Sequence, residues 1–274
     1  MIEKLTALPL YQSINMGILF GSMLLCIILW LVGLIQQSLC RNGLPRIPRF
    51  AGATFPHPLE ELYTQIFIVF FTFLTLGNIF AEKSAEPYTA ADAWSTAIIT
   101  AMIYMPMALR YIALPIPTDN QKLYNLGAVA CALFIVYMFN FTLSTCGALD
   151  WLCKVTGSPE QQQLIDDMIN LESPGAIAAI CFSSIIIAPV MEEFTFRGFI
   201  YNILRQRVGI IAAAISSSLF FSAVHVSLAQ TPVLFIFACA QCWLYEKTKS
   251  IRYPIILHMA FNTISTVAVF LLAK

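Results

Sequence analysis

The sequence has 274 residues, of which 59% are hydrophobic and 11% are charged, and its mean hydropathy is +0.77. Soluble domains are about 45–50% apolar and about 25% charged, so a large part of this chain is expected to face lipid. Fifteen basic residues balance fifteen acidic ones and form no basic stripe, which argues against nucleic-acid binding.

Eight apolar stretches are long enough to cross a bilayer as helices, which requires about 20 residues. They lie near 13–36, 62–81, 92–114, 123–147, 174–204, 208–226, 231–247 and 254–273. Backbone polar groups inside lipid must be satisfied within the spanning segment, and no alternating barrel strands are seen. We therefore predict an all-α, polytopic integral membrane protein with about eight transmembrane helices.

The spans suggest three parts along the chain. Residues 1–150 carry the first four spans, residues 151–173 form an extracytoplasmic loop, and residues 174–274 form a four-helix membrane core, in which the candidate catalytic residues lie. Within the loop, the sequence Ser158–Gln161 has a capping-box pattern with proline at the first helical position, and apolar residues follow at helical spacing. The loop is therefore predicted to contain a short amphipathic helix, either a structural connector or a lid.

The basic residues indicate the orientation of the chain in the membrane. Ten of them, among them Arg205, lie on the odd-numbered loops or at their edges, four lie on the opposite side, and Arg197 lies within a span. By the positive-inside rule, the odd loops are cytoplasmic and both termini lie outside. We expect a multi-pass protein of a bacterial inner membrane or a plasma membrane.

Three charged residues, Glu192, Glu193 and Arg197, lie inside the fifth apolar segment. A charge at the centre of a membrane helix costs about 2.5–3.5 kcal/mol on insertion scales, so such residues are candidates for function. Glu193 and Arg197 are four residues apart with the acid first, which is the favourable order for an ion pair on a helix. Glu192 lies about 100° around the helix from that pair, so it does not share the ion pair. A carboxylate outside that pair can accept a proton from water, which suits a general base. The alternative is a structural salt bridge with one additional acid.

Two of the three histidines also lie in predicted spans. His225 ends the sixth span, four residues after Phe221, whose ring could support the imidazole. His258 lies one turn before Asn262 in the eighth span, so the two side chains share a helix face. Glu192 could deprotonate a water that a histidine positions, and a His–Asn pair could donate hydrogen bonds to an oxyanion. Such a set suits amide hydrolysis. A zinc site is a competing interpretation, since two histidines and a glutamate can bind Zn²⁺ with a water, but no H-E-x-x-H motif is present.

Three motifs in the last four spans resemble the CPBP family of CAAX proteases and bacteriocin-processing enzymes, also called ABI-type intramembrane glutamic endopeptidases. These motifs are E-E-x-x-x-R at 192–197, F-x-x-x-H at 221–225 and H-x-x-x-N at 258–262, and the resemblance covers about residues 174–266. It implies a metal-independent endopeptidase without a cofactor. The roles that it implies are water activation by Glu192, assistance by His225, oxyanion stabilisation by His258 and Asn262, and ordering of the site by Glu193 and Arg197.

The sequence departs from the family in the seventh span, where Thr248-Lys249-Ser250 stands in place of the T-G-S turn that bacterial relatives often carry. We expect a peptide or membrane-protein substrate within the lipid bilayer; the sequence gives no oligomeric state. Three other functions stay open at this point. They are a zinc-dependent membrane hydrolase, a non-catalytic scaffold or self-immunity protein of the same family, and a transporter that uses the buried Glu–Arg pair.

Overall fold

A computed structural model describes residues 10–39, 94–95, 98, 121–158, 173–225 and 227–272. These residues are almost entirely helical and include no strand, which confirms the predicted all-α fold. The predicted second span, nearly all of the third, and the predicted amphipathic helix lie outside the described residues.

The helices follow the apolar segments of the sequence. Their bounds are α1 Leu10–Leu39, α2 Lys122–Thr145, α3 Ala148–Thr156, α4 Pro174–Phe182, α5 Ala188–Glu193, α6 Asn202–Val208, α7 Ile210–Val224, α8 Thr231–Thr248 and α9 Arg252–Leu272. Two stretches of π-helix, Ser183–Ile187 (the first π segment) and Phe194–Tyr201 (the second π segment), join α4, α5 and α6 into one helical run.

Four of the described helical stretches are long and apolar enough to cross a membrane, namely Leu10–Leu29, Lys122–Thr145, Pro174–Val208 and Arg252–Leu271. They correspond to the first, fourth, fifth and eighth predicted spans, and they indicate a multi-pass membrane protein. The predicted sixth and seventh spans are the shorter helices α7 and α8, of 15 and 18 residues. At 1.5 Å per residue these are about 22 and 27 Å long, less than the roughly 30 Å hydrocarbon core.

The chain divides into two compact units that are not contiguous in sequence. The first unit contains the described residues 10–39, 130–158, 201–225 and 227–247. In it, α1 packs against α6 and α7, and the Cys26 thiol of α1 donates to the Ser216 carbonyl of α7 at 3.7 Å. Gly209 separates α6 from α7 with φ of +86°, a backbone conformation that favours glycine and ends the helix.

The second unit contains the described residues 94–95, 98, 121–129, 173–200 and 248–272. In this unit α9 packs along the first π segment and α5. Phe270 near the end of α9 packs against Ala179 and Ile180, while Ile255 near its start packs against Met191 and Phe194. Apolar contacts at both ends therefore hold α9 against the segment that carries Glu192 and Glu193.

Candidate active site

The acidic pair lies where the long helical run is irregular. Glu192 and Glu193 are the last residues of α5, between the two π segments, and Arg197 lies inside the second π segment. Pro189 is near the start of α5. Single π-helical turns inserted into α-helices occur frequently at functional sites, because they change the direction of the side chains that follow.

Glu193 and Arg197 form the ion pair that their spacing predicts. Arg197 Nη1 donates to Glu193 Oε1 at 3.1 Å, and both side chains are fully buried. Removing a charge from water is costly unless a partner of opposite charge compensates for it. The pair therefore allows a carboxylate to stay at this depth.

His258 brings the last helix into the same cluster. Its Nδ1 lies 2.8 Å from Glu193 Oε1, and its Nε2 lies 3.9 Å from Glu192 Oε2. A carboxylate oxygen accepts, so the ring donates from Nδ1 to Glu193, and Nε2 faces Glu192. The imidazole is thus oriented by one acid and directed towards the other.

The two adjacent acids differ in their access to solvent. The Glu193 side chain is 0% exposed, whereas the Glu192 side chain is 28% exposed. Because a hydrolytic water must reach its base, Glu192 is the better placed of the two for that task. Glu193, enclosed by Arg197 and His258, is placed to orient its neighbours.

Asn262 lies one turn after His258 on α9, as predicted, and its side chain contacts the backbone of the long helical run. Its Nδ2 donates to the carbonyl oxygen of Ser184, in the first π segment, at 2.7 Å. This contact with Ser184 was not predictable from the sequence. The amide has a second N–H, so the contact leaves one donor for other uses.

His225 lies in the first unit, at the end of α7. Its ring centroid is 4.8 Å from that of Phe221, so the predicted support by this ring is confirmed. Its Nδ1 lies 2.8 Å from the Phe221 carbonyl oxygen. Since a carbonyl can only accept, Nδ1 carries the hydrogen and, in the neutral ring, Nε2 is the acceptor. Its action together with Glu192 stays a prediction.

A polar network in the first unit was not predicted. Glu246 on α8 accepts a hydrogen bond from the Tyr201 hydroxyl at 2.7 Å and forms an ion pair with Arg205. Asn202 donates to the Tyr245 hydroxyl at 2.9 Å. The sequence places Arg205 at the edge of a loop, whereas the structure shows its side chain buried. The signal that could have found the network is Glu246, an acid at the end of an apolar span.

Among the residues that the structure describes, no group of three or more His, Cys, Asp and Glu side chains is arranged to hold a metal ion.

The comparisons with known proteins match the part of the chain that carries these residues. The family described as "Type II CAAX prenyl endopeptidase Rce1-like" matches residues 174–264, which include all three motifs. A curated protein named "Putative membrane peptidase YdiL", from Bacillus subtilis (strain 168), is 25% identical over 177 residues, or 64% of this chain and 70% of that protein. No solved structure matches.

The helical fold and these matches support a membrane protease of the CAAX type. They also confirm the resemblance to the CPBP family that the three motifs predict.

Proposed function

We propose that the protein is an intramembrane endopeptidase in which Glu192 activates a water molecule for peptide-bond hydrolysis without a metal ion. The observation that carries the proposal is the position of His258 between two carboxylates. Its Nδ1 is 2.8 Å from Glu193 and its Nε2 is 3.9 Å from Glu192. One acid orients the ring, and the more exposed acid is left to act on the reactants.

In the proposed reaction Glu192 takes a proton from water, and the resulting hydroxide attacks the carbonyl carbon of the scissile bond. The carbonyl oxygen becomes an oxyanion in the tetrahedral intermediate. When this intermediate collapses, the C–N bond breaks, and Glu192 returns its proton to the leaving amine. A single carboxylate therefore serves as base and then as acid, and no proton is gained or lost by the enzyme.

The oxyanion is proposed to be stabilised from α9. A protonated imidazole donates from both nitrogens, so His258 can bind Glu193 through Nδ1 and an oxyanion through Nε2. Asn262 is on the same helix face and retains a second amide hydrogen. Since Arg197 and Glu193 already form an ion pair with each other, a proton carried by His258 would add a positive charge beside the reacting group.

His225 is proposed to position the attacking water together with Glu192. The Phe221 carbonyl oxygen, 2.8 Å from Nδ1, fixes the tautomer in which Nε2 accepts a hydrogen bond. Contact with the Phe221 ring limits rotation of the imidazole. An acceptor held in this way suits a group that orients a water hydrogen.

The substrate is proposed to be a peptide segment at or within the membrane, and prenylated C-terminal peptides are one class to test because of the matching family. The test compares membrane and C-terminal peptides between cells that contain the native protein and cells that contain Glu192→Ala. Peptides that accumulate uncleaved only with Glu192→Ala would support the proposal. Identical peptides in the two kinds of cell would overturn it.

A second arm of the same test separates the metal-independent mechanism from a zinc hydrolase. The purified protein in proteoliposomes is assayed on a cleaved peptide from that comparison, with and without 1,10-phenanthroline. Retained cleavage in the chelator is expected. Loss of cleavage that added Zn²⁺ restores would favour the zinc-dependent mechanism.

A further inference from the structure

Pro189 leaves one carbonyl of the long helical run without its usual backbone donor. Proline has no N–H. In a π-helical turn the carbonyl of residue i accepts from the N–H of residue i+5, so the donor for Ser184 would be residue 189. The α-helical donor would be Ala188, but its N–H donates to the Ser183 carbonyl. The Ser184 carbonyl must therefore find a donor outside its own helix.

Asn262 provides that donor from α9. Its Nδ2 is 2.7 Å from the Ser184 oxygen, a normal length for an amide–carbonyl hydrogen bond. A proline within a membrane helix is tolerated where a neighbouring helix satisfies the freed backbone group. The side chain thus replaces the N–H that Pro189 lacks.

Besides the Asn262–Ser184 hydrogen bond, a second polar contact joins α9 to the helical run that carries Glu192 and Glu193. His258, one turn earlier on α9, binds Glu193 at 2.8 Å. Ser184 and Glu193 lie on either side of Pro189, so the two links hold α9 to the chain before and after the proline. A shift at either link would move Glu192, which lies three residues after Pro189.

We propose that Asn262 is a positioning residue, whose amide satisfies the Ser184 carbonyl exposed by Pro189 and so fixes the segment that carries Glu192 and Glu193. The expected effect on kcat rests on the proposed function. Besides the proposed oxyanion role, Asn262 would hold the acidic segment in place when no substrate is bound. It also explains why a proline is compatible with this span: its missing donor is supplied by a residue 73 positions later in the chain.

The test is a double-mutant cycle with Asn262→Ala, Pro189→Ala and the double variant, because alanine at 189 restores the missing N–H. In the native background, Asn262→Ala is expected to lower the melting temperature in detergent and to lower kcat by about 100-fold, with KM little changed. With alanine at 189, the same substitution is expected to cause little loss of melting temperature, and the kcat loss is expected to shrink to the part that comes from the oxyanion role. Equal losses of melting temperature in the two backgrounds would overturn the proposal.

Thr263→Ala is the matched control. The Thr263 hydroxyl is exposed and donates to the Met259 carbonyl of its own helix at 2.6 Å, so its loss breaks no contact between helices. Asn262→Leu tests the same bond without changing Pro189, because leucine has nearly the same shape but no donor. The Leu variant is expected to melt below the native protein, and a native melting temperature would contradict the proposal.

The melting temperatures separate this inference from the proposed function, since they require no substrate. A thermal cycle that shows rescue, in a protein without peptidase activity, would support the Asn262–Ser184 link and reject the proposed reaction. The kinetic arm uses an internally quenched peptide built on a cleaved sequence found in the cell comparison. In that arm Glu192→Gln is expected to be inactive whichever residue occupies position 189.

Discussion

Glu193 is the residue on which the candidate site is organised, because one buried oxygen contacts both Arg197 and His258. The sequence predicts the first contact, since residues four apart on a helix are neighbours. It does not predict the second, because Glu193 and His258 are 65 residues apart and meet only when α9 packs against α5. For Asn262, the sequence likewise predicts that it shares a helix face with His258, but not that its amide contacts the Ser184 carbonyl.

Glu193→Gln keeps the shape of this side chain and removes its charge. The amide orients the His258 ring less well and deprives the buried Arg197 of this carboxylate, so we expect kcat to fall by about 10²–10⁴-fold with little change in KM. The measurement is steady-state cleavage of an internally quenched peptide in proteoliposomes. Asp150→Asn, at an exposed site in the first unit, is the control for the same chemical change. Native kcat in Glu193→Gln would reject the orienting role.

The turn between α8 and α9 has lysine, Lys249, where the T-G-S turn of bacterial relatives has glycine. Lys249 has φ of +55°, in the left-handed region. This conformation costs a residue with a side chain about 1–2 kcal/mol. Glycine would avoid that cost, but it has more conformational freedom in the unfolded chain, and losing that freedom on folding would offset a part of the gain. Lysine in place of the glycine of the T-G-S pattern was visible in the sequence, and the structure shows that Lys249 adopts the left-handed conformation that favours glycine.

Lys249→Gly is therefore expected to raise the free energy of unfolding by about 0.5–1 kcal/mol. The measurement is denaturant unfolding in detergent. Lys249→Ala removes the same charge and side chain but keeps the strained conformation, so it is not expected to stabilise the protein. If the alanine variant gains as much stability as the glycine variant, the conformational explanation is wrong.

The network between α6 and α8 gives a second prediction for the elements. Arg205 and Glu246 are an ion pair with little exposure, and Tyr201 also donates to the acid. Glu246→Leu would leave the Arg205 charge buried without this partner, which typically costs about 3–5 kcal/mol of stability. Arg205→Met combined with Glu246→Leu is expected to recover most of that loss. A double variant as unstable as Glu246→Leu alone would show that the ion pair is not the cause.

The irregular form of the long helical run could not be predicted from local sequence. The apolar stretch at 174–204 predicts a helix, and the structure extends it to Val208. The first π segment lies before Pro189, and its Ser184 carbonyl accepts from Asn262 of α9, a contact that only tertiary packing creates. The proline was a visible signal, but its partner Asn262 could be identified only from the packing of the helices.

For the whole molecule, the sequence predicts the all-α membrane fold from hydropathy alone, because lipid leaves a chain few ways to satisfy its backbone. The orientation rests on the distribution of basic residues, and it places the C-terminus outside. A reporter pair fused after Lys274 tests this: alkaline phosphatase is expected to be active and green fluorescent protein dark. A fluorescent, phosphatase-inactive pair would place the C-terminus in the cytoplasm and require an odd number of spans or the opposite orientation.

The central claim is that Glu192 is the base that activates water. The most direct measurement is single-turnover cleavage by purified Glu192→Gln in proteoliposomes, beside the native protein and Asp150→Asn, with each variant shown to have a native melting profile. Glu192→Gln is expected to lose at least about 10²–10⁴-fold in rate while it still binds the peptide, because glutamine cannot accept the proton. Cleavage by Glu192→Gln at the native rate would contradict it.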